Sequence, residues 1–239
     1  MAQLSLVIAG SFALVATLGC GGSSVPIVEH RLVGEPSGDD DDAEPFVLGA
    51  LTLPPLPVTV HASDEVVGTA LRLARDATLP ERPTLDDGAT DEQTARYMRE
   101  DFQAWLVERA RAIGAARSAL SAMEHGEPDE YVLASALVGT LFSMLAREVQ
   151  ETPLPRVIRE DRAQRVLVRE ALLEAAAPLY RRALDGLGAC ASTAAGAADP
   201  TLDPWATYCD AAIAQAELAP RPVDSTEPSA TSDADAGAP

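Results

Sequence analysis

YVLASALVGTLFSMLA, residues 131–146, carries no charged side chain on any face, with Asp129 and Glu130 just before it and Arg147 and Glu148 just after. A bilayer crossing needs about 20 apolar residues, so this stretch is short for a span. A helix apolar all round is one that neighbours cover all round, so these residues read as the central core helix of a bundle. Pro128 occupies a position that a first helical turn tolerates, and Pro153 and Pro155 break the chain beyond it.

Working outward, the flanking segments carry the pattern of helices that would pack on this core. Upstream, Ser63 is placed to cap a short helix lined by Val66, Val67, Ala70, Leu71 and Ala74, which ends before Pro80. Thr90 and Gln93 have capping-box spacing, with Asp91 and Glu92 in the first turn. The helix they open is predicted to run to about Glu124. Its inner stripe is Met98, Phe102, Trp105, Ile113, Ala116, Leu120 and Met123, with Arg and Glu on the other faces.

Downstream, a long helix from Arg156 or Arg159 towards Gly186 is predicted to bury Val166, Leu173, Ala177, Tyr180, Leu184 and Leu187. Pro178 inside it is expected to kink or split it. Asp203-Pro204 opens a last helix, with Trp205, Tyr208, Cys209, Ala212, Ile213 and Ala216 on one side. The expected fold is all-α: an antiparallel helical bundle or two stacked αα-hairpins over residues 62–218. Arg99-Glu100-Asp101 and Arg159-Glu160-Asp161 stand sixty residues apart at matching places, a faint repeat. The second hairpin loosely resembles the tetratricopeptide type, without its consensus or its period of about 34 residues.

Outside the helices, residues 46–60 are apolar but interrupted by Pro54, Pro55 and Pro57. They are expected to lie extended along the domain, with a short strand to either side. Residues 21–45 read as a linker whose Asp39-Asp40-Asp41-Asp42 run repels itself and stays solvated. Four contiguous Asp do not match the alternating ligand spacing of a calcium loop. Residues 219–239 are too polar to form a core and are expected to be a disordered tail.

The charge balance excludes whole classes of partner. The formal net charge is −19, all basic residues are Arg, and Lys and Asn are absent. Such a field repels nucleic-acid phosphates, so no DNA or RNA partner is expected.

The first nineteen residues, MAQLSLVIAGSFALVATLG, contain no charge. The apolar run from Leu4 to Leu18 has the length of a signal-peptide core. By itself it also fits an ordinary cleaved leader or a buried N-terminal helix. It ends at Thr17-Leu18-Gly19-Cys20, followed by Gly21-Gly22-Ser23-Ser24. Small residues before a cysteine and a Gly/Ser stretch after it resemble the lipobox of bacterial lipoproteins. The resemblance implies a signal peptide over residues 1–19, lipidation of Cys20 and a lipidated linker over 20–61. It also implies attachment to a membrane through acyl chains, which anchor stably when several are present. Gly21 after the cysteine implies an outer-membrane destination.

With Cys20 acylated in that compartment, Cys190 and Cys209 remain as an even pair in an oxidising environment, and a structural disulfide is expected. A catalytic cysteine is the alternative reading, though no His lies near in sequence. His30, His61 and His125 are scattered. His61 with Asp64 and Glu65, and His125 with Glu124 and Glu127, lack a recognised metal spacing. No nucleophile elbow, phosphate loop or dinucleotide fingerprint occurs, so neither enzyme activity nor a cofactor is expected. The expected role is an envelope-anchored, non-enzymatic interaction or structural module with a protein partner. The alternative is a bundle that binds a small ligand or cation between its helices.

Overall fold

The computed structural model describes residues 45–49, 51–86 and 88–220. The expected signal peptide, Cys20, His30, the Asp39–Asp42 run and residues 221–239 lie outside the described residues. The described residues fold as an all-α bundle with one small antiparallel sheet. In chain order the elements are β1 (Phe46–Leu48), β2 (Leu51–Leu53), α1 (Glu65–Thr78) and α2 (Asp91–Tyr97). There follow α3 (Gln103–Leu120), α4 (Pro128–Gln150), α5 (Arg156–Glu160), α6 (Arg162–Gly196) and α7 (Asp203–Glu217).

The uncharged stretch is the interior of α4, and it is covered from several sides by α6, α3, α7 and α1. Leu133, Leu137, Leu141 and Leu145 are sealed from solvent. By length and composition α4 would suffice to cross a membrane, yet 72% of its most apolar window is buried inside the protein. The main packing is α4 against α6, and a glycine on each helix lies at the crossing. A Cβ built on Gly186 would fall 2.9 Å from the Gly139 nitrogen and 3.0 Å from the Ser135 carbonyl oxygen. A Cβ on Gly139 would meet Leu187 Cγ at 2.7 Å and the Leu187 nitrogen at 2.8 Å. Only the missing side chains let the two backbones come together here.

Several local expectations are corrected. The cap of α1 is Asp64 rather than Ser63: its carboxylate accepts from the Val66 and Val67 amides at 2.9 and 3.4 Å. An ionised acceptor at a helix N-terminus also gains from the helix dipole. Val66 turns outward, 50% exposed. The Thr90 capping box forms as expected, with both of its hydrogen bonds present. The helix it opens, however, is broken by a π-helical turn over Met98–Phe102 and ends at Leu120, with a 3-10 turn at Met123–His125.

The helix expected from Arg156 or Arg159 is two helices. Asp161, at φ −86° and ψ 109°, ends α5 and caps α6 through the Ala163 and Gln164 amides. Pro178 does not split α6, which continues unbroken for 35 residues. Pro178 lacks the N–H that the Glu174 carbonyl would receive. Glu174 is exposed, so water can take that bond. The buried face of α6 is Leu172, Ala176, Leu179, Ala183, Leu187, Cys190 and Ala194. Val166 is 47% exposed, and Leu173, Ala177, Tyr180 and Leu184 are only half-buried. The contact with α4 runs through Ala183, Gly186 and Leu187, on a face that shares only Leu187 with the expected stripe. The faint repeat has no structural counterpart, since Arg99-Glu100-Asp101 lies in the π turn and Asp161 is a helix cap.

The folded part begins earlier than residue 62. Phe46 pairs with Leu53 and Leu48 with Leu51, placing Leu48 and Leu53 in the core. Gly49 turns the hairpin at φ +61°, pressed against Thr78 at the end of α1. The proline strap then crosses the bundle. Its Pro55 carbonyl accepts from Trp205 Nε1 at 2.9 Å, and the Thr59 hydroxyl donates to the buried Asp129 in the first turn of α4.

Candidate functional site

Two clusters concentrate polar chemistry inside the bundle. The first lies where α6 meets α7. Cys190 and Cys209 are bonded to each other, with their Cα atoms 6.3 Å apart, and both are buried. The segment between them is shaped by Asp199, which accepts from the Thr201 amide at 2.9 Å and starts the turn Pro200–Leu202. Trp205 is fully buried one turn before Cys209, edge-on to Tyr208 with ring centroids 6.1 Å apart. Thr140 of α4 donates to the Ala136 carbonyl at 2.8 Å and shares a 2.9 Å hydrogen bond with the Tyr208 hydroxyl. Burial pushes the Tyr208 phenol above its usual pKa, and the Thr140 hydrogen bond offsets part of that. One corner thus ties α4, α6, α7 and the proline strap together.

The second cluster is an ion pair between a buried arginine and a half-buried glutamate. Arg109 of α3 is 1% exposed, and its Nη2 and Nε donate to the two carboxylate oxygens of Glu148 at 2.9 and 3.2 Å. Its Nη1 donates to the Ala77 carbonyl in the last turn of α1. The guanidinium fork therefore holds three helices, in the side-on geometry that suits Arg and carboxylate best. Burial pushes the Glu148 carboxyl above the usual carboxylate range, and the charge and hydrogen bonds of Arg109 pull it part of the way back. Beside this pair, Arg82 donates to the Glu151 carbonyl at 3.0 Å and lies 6.0 Å over the Phe102 ring. Tyr97 and Trp105 donate to the Pro83 and Pro80 carbonyls at 2.6 and 3.1 Å. The loop after α1 is fastened in this way to α2, α3 and α4.

Arg109 falls among the Arg and Glu expected on the outer faces of its helix, and it is instead buried, with Glu148 half-buried beside it. A signal existed. Arg109 lies four residues after Trp105 and four before Ile113, in line with the apolar stripe. Of the other candidates, Cys20 and His30 lie outside the described residues, and His61 and His125 are exposed with exposed acidic neighbours. Among the described residues no group of three or more His, Cys, Asp or Glu is placed to hold a metal ion. A surface hollow of about 560 Å³ runs along Arg99, Gln103, Val107 and Arg111, lined by one helical ridge alone.

No family model, no curated protein and no solved structure matches this chain.

Proposed function

We propose that the chain is an exported lipoprotein, anchored through acyl chains on Cys20 to the outer membrane. Its helical domain serves as a non-enzymatic interaction or structural module for a protein partner in the envelope. The observation that carries this reading is the Cys190–Cys209 bond. Disulfides persist in oxidising compartments, beyond the cytosol. The bond also accounts for two of the three cysteines, leaving Cys20, which stands behind an uncharged apolar run and before Gly21-Gly22-Ser23-Ser24. The polar groups inside the bundle support the structural part of the reading. Arg109, Glu148, Thr140, Tyr208 and Trp205 are each engaged in holding one segment of the bundle to another.

The test is the mass of the protein extracted from the membrane fraction. The expected species begins at Cys20 and carries the mass of a diacylglyceryl group and an N-acyl chain, and Cys20→Ser moves the protein to the soluble fraction. Residues 1–19 still attached, or an unmodified Cys20, would overturn the reading.

A further inference from the structure

We infer that the acidic segment 221–239 of this chain docks on an arginine ridge formed by α5 and the first turns of α6. The ridge reverses the sign of the molecule locally. Between Arg156 and Arg169 stand five arginines against Glu160 and Asp161, with the Asp91 carboxylate on the Val157 amide at 3.4 Å, in a chain of net charge −19. Arg156 pairs with Glu160 in the open at 2.6 Å. Among the described residues, no carboxylate lies within ion-pair distance of Arg159, Arg162, Arg165 or Arg169. Aliphatic surface is exposed along the same stretch: Val157 at 38%, Val166 at 47% and Leu167 at 65%. Cationic and apolar groups side by side suit an anionic segment that also brings apolar atoms.

The end of the described chain points to the occupant. The Pro220 carbonyl accepts from Gln150 Nε2 at 3.0 Å, and the Gln150 carbonyl accepts from Arg169 at 2.8 Å. The described chain therefore ends beside the inner end of the ridge. Arg162 lies two turns further along α6, about 10 Å by the helical rise. The nineteen residues that follow Pro220 can reach several times that distance when extended, at about 3.3 Å per residue. They carry Asp224, Glu227, Asp233 and Asp235 against Arg221, and Pro222 and Val223 supply apolar atoms at the near end. A separate polyanion, whether lipid or nucleic acid, meets the repulsion of the whole chain. A tethered segment does so too, but at a high effective concentration that offsets it. This inference stands independently of the lipid anchor.

The test places a photoreactive benzoylphenylalanine at position 167, in the full chain and in living cells. Irradiation is expected to give a monomer-sized product whose cross-link maps to residues 221–239 of the same chain. Arg162→Ser with Arg165→Ser is expected to lower its yield about fivefold, as loss of exposed charge pairs does. Products of dimer size, lipid adducts, capture of another protein or no product at all would overturn the inference. So would a yield unchanged in the double-serine variant.

Discussion

Gly139 and Gly186 touch backbone to backbone where α4 crosses α6, and either Cβ would lie within 3 Å of main-chain atoms of the other helix. Alanine is the better helix former by about 1 kcal/mol at an exposed site. At this crossing the added methyl has nowhere to go without parting the helices, and overpacking of a core costs about 1–3 kcal/mol. Gly139→Ala and Gly186→Ala are each expected to lower the denaturation midpoint. Gly188→Ala, where a Cβ meets nothing, is expected to leave it unchanged or raise it. Equal stability of all three variants would refute the close crossing.

The Arg109–Glu148 pair makes an asymmetric prediction. Arg109→Met leaves the half-buried Glu148 carboxylate without its partner and frees the Ala77 carbonyl. Breaking one side of a buried pair costs about 3–5 kcal/mol, and replacing both sides with apolar residues costs far less. Arg109→Met with Glu148→Leu is therefore expected to be more stable than Arg109→Met alone. Urea unfolding of the four members of the cycle measures this, and simple additivity would show that the pair is not coupled.

Reduction of Cys190–Cys209, separated by 19 positions, is expected to cost about 3 kcal/mol through loop entropy in the unfolded chain. Calorimetry with and without reductant would register a lower melting temperature. Free-thiol titration of the unfolded, unreduced protein is expected to find neither cysteine reactive. Two reactive thiols there would contradict the bond.

Three phenols set an alkaline limit. Burial raises the pKa of Tyr208 against the opposing Thr140 hydrogen bond, that of Tyr97 against Arg82 and that of Tyr180 against Arg147. A phenol with a raised folded pKa contributes its full stabilisation below the unfolded value of about 10, and loses it as pH rises through the folded value. Melting temperature is thus expected to hold up to about pH 9.5 and to fall beyond. Tyr208→Phe should lose about 1 kcal/mol at neutral pH with the Thr140 hydrogen bond, and should soften the alkaline fall. Phenolate absorbance that rises entirely at the free-tyrosine pKa would contradict the burial of these side chains.

Much of the fold was legible along the chain, because helices declare themselves locally. The uncharged run at residues 131–146 became α4, the Thr90–Gln93 box capped α2, and the Trp205–Cys209–Ala216 stripe faces inward on α7. Reading failed where large apolar residues were taken as the guide. On α6 the contact with α4 runs through Ala183, Gly186 and Leu187, and a glycine leaves no hydropathic trace. Pro178 misled in the other direction. An exposed carbonyl can bond to water, so the proline did not end the helix.

By itself the sequence determined approximate helix positions and the Thr90 cap, the acidity that repels polyanions, and the compatibility of two cysteines with one bond, since each follows from neighbouring residues or from composition. Tertiary structure alone decided which face of α6 is buried, that Arg109 finds Glu148 and Ala77 as its partners, and that Pro55 receives Trp205 from 150 residues away. Those are contacts between distant segments. Their energies depend on what covers each group once the chain has closed, and periodicity along a single helix contains no term for that.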